Sequence, residues 1–121
     1  MKHNKILGEL GEKYVQKYLE KEGYKILRTN FKTSFAEIDI IAQKDELIAF
    51  VEVKTRENEE FGRPAEAVTK SKQRSIRKAA SLFIINYPDK IGRFDVAEII
   101  ATINRDGLDV LDFNYIEDAF Y

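Results

Sequence analysis

A chain of 121 residues, 44% hydrophobic and 12% aromatic, has the material for one domain (residues 1–121) with a real core, which excludes a disordered or fibrous polypeptide. Without cysteine it has no disulfide or thiolate metal site, and its longest apolar run, LFII from Leu82, is far below the ~18 residues of a membrane span; a cytoplasmic protein with no membrane partner is expected. A net charge of −1 excludes a global field that gathers nucleic acid and leaves that task to local patches.

The N-terminal stretch MKHNKILGELGEK meets charge too early for a secretory signal. From about Ile6 to Glu22, Leu7, Leu10, Tyr14, Val15, Tyr18 and Leu19 recur at helical spacing, and Gly23 is a plausible stop. YKILRTNF, from Tyr24, reads as a first strand, Glu37 to Ala42 as a second, and QKDE, from Gln43, as a hairpin turn into a third strand over Leu47 to Thr55. RENEEFGRP, from Arg56, is a charged loop. A second helix is expected from Ala65 to Asn86 with an inner stripe of Val68, Ile76, Ala79, Ala80, Phe83 and Ile84. YPDKIG breaks it, and RFDVAEIIATI and GLDVLDFNYI read as two strands joined through NRDG. The order α-β-β-β-α-β-β predicts one α/β domain with a mixed sheet flanked by helices.

Charge sits in this pattern where oil is expected. Side chains two apart on a strand share a face, so Glu52 and Lys54 project from the side of Ile48 and Phe50. Asp39, between Ile38 and Ile40, lies on the neighbouring antiparallel strand. Two carboxylates on adjacent strands can reach one hard divalent cation, and an ammonium beside it suits a phosphodiester, whose growing charge it stabilises.

Stepping about 100° per residue along the first helix puts Glu12 at the margin of the apolar face and Glu9 in the middle of the solvent side. Gly11, in the apolar stripe, implies a close approach of helix to sheet that would bring Glu12 near the strands. On the second helix Lys72 and Gln73 flank the buried stripe, whereas Lys70, Arg74 and Lys78 face outward as a path for a nucleic-acid backbone.

Each piece has a plainer reading. Glu52 and Lys54 make an edge salt bridge, Asp39 a strand-end cap, Glu12 and Gln73 ordinary surface residues, and the basic run a solvated helix face. Arg93 and Asp95 read first as a structural ion pair. His3, the single histidine, is terminal, and no Ser–His or Cys–His nucleophile is available.

Glu12, then Asp39, then EVK at Glu52 to Lys54, resembles the PD-(D/E)XK nuclease superfamily. GELGEKYVQKYLEKEGYKIL, EIDIIA, FVEVKTR, FGRPAEAV and RFDV together resemble the YraN family of small bacterial proteins, across nearly the whole chain and in the family order. The fold of that family is similar to that of archaeal Holliday-junction resolvases. The resemblance implies a restriction-endonuclease-like, three-layer core and a Mg2+- (or Mn2+-) dependent site. In it Asp39 and Glu52 bind metal, Lys54 serves catalysis, and Glu12 supplies a further acidic ligand or a partner behind the metal ligands.

Ile38 stands where the superfamily signature has proline, and Ala36 where relatives usually have glycine. The expected function is an endonuclease on DNA, branched or structured, with a homodimer by analogy because resolution needs two sites. The competing expectations are a non-catalytic nucleic-acid-binding module and an assembly factor docking through Arg56–Arg63.

Overall fold

The computed structural model describes residues 2–57 and 68–120. Its elements are α1 (Lys2–Lys21), β1 (Lys25–Lys32), β2 (Glu37–Lys44), β3 (Leu47–Arg56), α2 (Lys70–Ile84), β4 (Ile91–Asn104) and β5 (Gly107–Phe120). The five strands form one sheet in sequence order, antiparallel except for the β3–β4 pair, which is parallel and crosses over through α2. The α-β-β-β-α-β-β order and the mixed sheet are as the sequence predicts.

Two cores divide the sheet's faces and make three layers. On one face Ile38, Ile41, Ile48, Phe50 and Val96 meet Ile76, Ala79, Ala80 and Phe83 of α2. On the other Ile40, Ala42, Ala49, Val51, Ala97 and Ile99 meet Val15 and Leu19 of α1. The small alanines on the α1 side let that helix lie close. A Cβ on Gly11 would stand 2.1 Å from Thr55 Oγ1, confirming the approach that Gly11 implies.

α1 begins at Lys2 rather than Ile6, because His3, Asn4 and Lys5 are polar and exposed and extend no apolar stripe that could announce it. It ends as Gly23 foretells. At φ 94°, Gly23 donates to the Glu20 carbonyl (3.1 Å) while Tyr24 donates to that of Leu19 (2.9 Å). That is the left-handed cap whose two bonds satisfy the last helical carbonyls. The hairpin between β2 and β3 closes on Asp45 and Glu46, Asp45 at φ 54°.

α2 starts at Lys70, not Ala65, since Thr69 is extended and its side chain accepts the Lys72 N–H. Val68 is buried in the core as expected, but ahead of the helix. The expected helical residues 65–67, and most of the charged loop, lie outside the described residues. The helix stops at Ile84 instead of Asn86, its last turn tightened by bonds from Asn86 to Phe83 and Tyr87 to Ile84, with Pro88 just beyond.

Arg93 and Asp95 do form the structural pair. Asp95 is wholly buried and accepts Arg93 Nε and Nη2 at 2.8 Å each, the Tyr115 hydroxyl, and the Asp118 N–H at 3.0 Å. Arg93 also donates to Tyr24 Oη at 2.7 Å. Asp95 keeps the guanidinium firmly charged, and burial beside its carboxylate pushes the Tyr115 hydroxyl well up.

Candidate active site

The site forms where the sheet comes apart. The β2–β3 ladder ends at Ile40↔Val51. Ile38 belongs to the α2 side and Ile40 to the α1 side, so the alternation of faces breaks between them, at Asp39. Opposite on β1, Asn30 is at φ 50°. Beyond this kink Asp39 Oδ2 accepts the Val53 N–H at 2.8 Å, a side chain bonding the backbone that the diverging strand no longer reaches.

Glu52, 3% exposed, continues the face of Ile48 and Phe50 as the sequence predicts. A cavity of about 560 Å3 opens there, lined by Glu12, Phe35, Glu37, Asp39, Glu52, Lys54, Lys72 and Ser75 among others. All four residues proposed for the chemistry, Glu12, Asp39, Glu52 and Lys54, share this wall. Glu12 is half-buried and Glu9 exposed, as the helical spacing has it.

Burial in the cavity pushes Glu12, Asp39, Glu52 and Lys54 toward neutrality. Burial, then the Asp39 charge, raises the Glu52 pKa to about 7, against the pull of Lys72 and Lys54. Burial also raises Asp39, although the Val53 N–H and Lys54 oppose it, and raises Glu12, seconded by Asp39. Lys54 is lowered to about 8, by burial first and by Lys72 next. Lys72 Nζ lies 3.6 Å from Glu52 Oε2, while buried Glu52 Oε1 has no hydrogen-bond partner.

Two crowded carboxylates with an open oxygen fit a hard cation that retains several waters. Among the described residues no three His, Asp or Glu side chains come close enough to hold an ion by themselves. Asp39 and Glu52 are the two carboxylates that could share such an ion. Glu12 stands behind them, accepting from Asn30 Nδ2 at 3.1 Å; the same amide donates to Glu37 Oε2 at 2.9 Å.

Of the residues expected to meet nucleic acid, Lys72 reaches the cavity and Lys70, Arg74 and Lys78 are exposed along α2. Gln73 turns away: its Nε2 donates to the Val68 carbonyl at 3.1 Å, tying down the start of the helix.

A model described as "Uncharacterised protein family UPF0102" matches residues 11–99, from the helix glycine through every residue of this wall. The chain belongs to the UPF0102 family. Similar UPF0102 proteins include one from Alkaliphilus metalliredigens, 46% identical over 97% of this chain and 99% of its own. Another, from Dictyoglomus thermophilum, is 45% identical over 98% and 99%, and one from Clostridium perfringens 47% identical over 98% and 97%. The YraN resemblance points to the same family.

In this UPF0102 chain four wall or near-wall residues escape a reading of the sequence. Asn30 and Phe35 look like strand and loop filler, yet Phe35 lines the cavity and Asn30 bonds Glu12, which does so too. Ser75 is an unremarked polar residue of α2. Glu98 gave a signal, since it interrupts an apolar strand just as Glu52 does. It is 3% exposed, sits in register with Lys54 and accepts from Asn114 Nδ2 at 3.1 Å.

Proposed function

We propose that this UPF0102 protein is a metal-dependent endonuclease that hydrolyses phosphodiester bonds in DNA. One observation carries the reading: Glu12, Asp39, Glu52 and Lys54, from three elements, line a single cavity in which burial and then the Asp39 charge raise the pKa of Glu12 and Glu52, and a buried Glu52 oxygen is left over. Burial of like charge without a partner is unfavourable for a fold, and such clusters mark functional sites.

Asp39 and Glu52 would hold Mg2+ or Mn2+, which when bound polarises the phosphate and supplies a water for attack. The Val53 N–H orients the Asp39 carboxylate, leaving its other oxygen for the ion. Asn30 holds Glu12 toward the same wall. Lys54, with its pKa lowered to about 8, is mostly an ammonium at neutral pH and neutralises charge growing on the phosphoryl oxygens. Its minor amine form can take the proton of the attacking water. Lys72 stands at the mouth, and exposed Lys70, Arg74 and Lys78 extend positive charge along α2 for the backbone of the substrate.

A non-catalytic nucleic-acid-binding module is the second reading, favoured by Lys72, which already neutralises one Glu52 oxygen. Calorimetric titration with Mn2+ and cleavage of junction, flap and linear DNA separate the two. The endonuclease binds the ion and cuts at least one substrate, and Asp39→Asn loses both. Wild type that takes up no ion and cuts nothing, while retaining salt-sensitive DNA binding, is the module instead.

A further inference from the structure

Phe35 has no part in the metal or phosphate chemistry, yet it lines the cavity beside Asp39, Glu52 and Lys54 with 47% of its surface exposed. Its mounting is rigid. Thr33 Oγ1 bonds the Phe35 and Ala36 N–H groups at 3.0 and 3.1 Å, and Thr33 N donates to the Ala36 carbonyl at 3.0 Å. The Lys78 ammonium lies 5.5 Å from the ring centroid, placing a cation on one face. An aromatic ring held in this way, at the rim of an anion-handling site and next to a basic helix, has the composition of a nucleobase stacking platform.

The surroundings give it a substrate. A second cavity, of about 510 Å3, shares Glu12, Val53 and Lys54 with the first and runs on past Gly8 and Arg56. Lys54 thus stands between two hollows. A phosphate held at Lys54 would have one flanking nucleoside toward Gly8 and Arg56 and the other toward Phe35. A base stacked on both sides within a duplex has no face to offer the ring.

We infer that Phe35 stacks on an unpaired base adjacent to the scissile phosphate, so that the substrate is a single strand or a branch point and not intact duplex. This deepens the endonuclease reading and rests on it.

The chain contains no tryptophan, so Phe35→Trp creates a sole indole reporter at the rim. It is titrated, in EDTA to prevent hydrolysis, with a short single strand, an abasic strand of equal length and the matching duplex. Phe35→Ala is measured in parallel by fluorescence anisotropy of labelled strands. The single strand quenches the indole and the abasic strand does not, and Phe35→Ala loses about fivefold or more in affinity for the single strand alone.

Equal quenching by the abasic strand, or unchanged single-strand affinity in Phe35→Ala with salt-sensitive binding intact, overturns the stacking role and leaves the endonuclease reading standing. Wild type that binds none of the three DNAs, either in EDTA or with Mn2+ present, overturns both.

Discussion

Replacing Glu52 by glutamine removes a charge that the fold holds at a disadvantage, and pH sets its size. Glu52 is 3% exposed, and its pKa rises from the usual 4.5 to about 7, by burial first and the Asp39 charge second. A carboxyl that binds its proton more tightly folded than unfolded favours folding fully below the unfolded value. That contribution is lost as pH rises through the folded value. At about 1.4 kcal/mol for each tenfold change in proton affinity, ionised Glu52 destabilises the native state by about 3 kcal/mol once pH exceeds about 7.

Glutamine keeps the side chain's shape without the charge. The pull of Lys72 on the charged form is already contained in that raised value. Glu52→Gln is therefore more stable than wild type by about 3 kcal/mol near pH 7.5, and the gain vanishes toward pH 4.5. Lys54 has the opposite sign: lowered to about 8, it adds stability only as pH climbs from there toward 10.5, outside this window. Urea unfolding followed by circular dichroism across the range measures the difference. Mg2+ raises the wild-type midpoint near neutrality and leaves that of Glu52→Gln in place. A gain of equal size at both ends of the window, or a variant less stable than wild type near neutrality, refutes the reasoning.

Two glycines of α1 answer alanine in opposite ways. Gly8→Ala meets nothing within 4 Å and stabilises by up to about 1 kcal/mol through helix propensity. Gly11→Ala drives its methyl to 2.1 Å from Thr55 Oγ1 and 3.1 Å from Thr55 Cβ, and destabilises by about 1–3 kcal/mol in the same urea assay. On the same face of the sheet, Tyr115→Phe removes one of the bonds on buried Asp95 and lowers stability by about 1–2 kcal/mol. Arg93→Met leaves that carboxylate without its cation and lowers it by about 3–5 kcal/mol, so thermal unfolding ranks the two variants.

Much of this molecule is legible in one dimension because its elements alternate or repeat with a clean period. Leu7, Val15 and Leu19 are buried as their spacing demands, and Ile48, Phe50 and Glu52 share a buried face. The misplaced charge of EVK was visible for the same reason: a carboxylate in a regular apolar strand has no other face to turn to. Helix ends were less so. Thr69 caps α2 through one hydroxyl, and nothing in the periodicity from Ala65 onward marks that position.

By itself the amino-acid order determined the two helices, the five strands, the hairpin at Asp45 and the surplus of charge on one strand face, since these depend on neighbours a few residues apart. Only the tertiary structure decided that β2 parts from β3 at Asp39, that Asn30 reaches across to Glu12, and that Phe35 stands at the cavity rim. Those outcomes rest on a kink shared by two strands and on the distance between a helix and a sheet, which arise from packing among residues far apart in the chain.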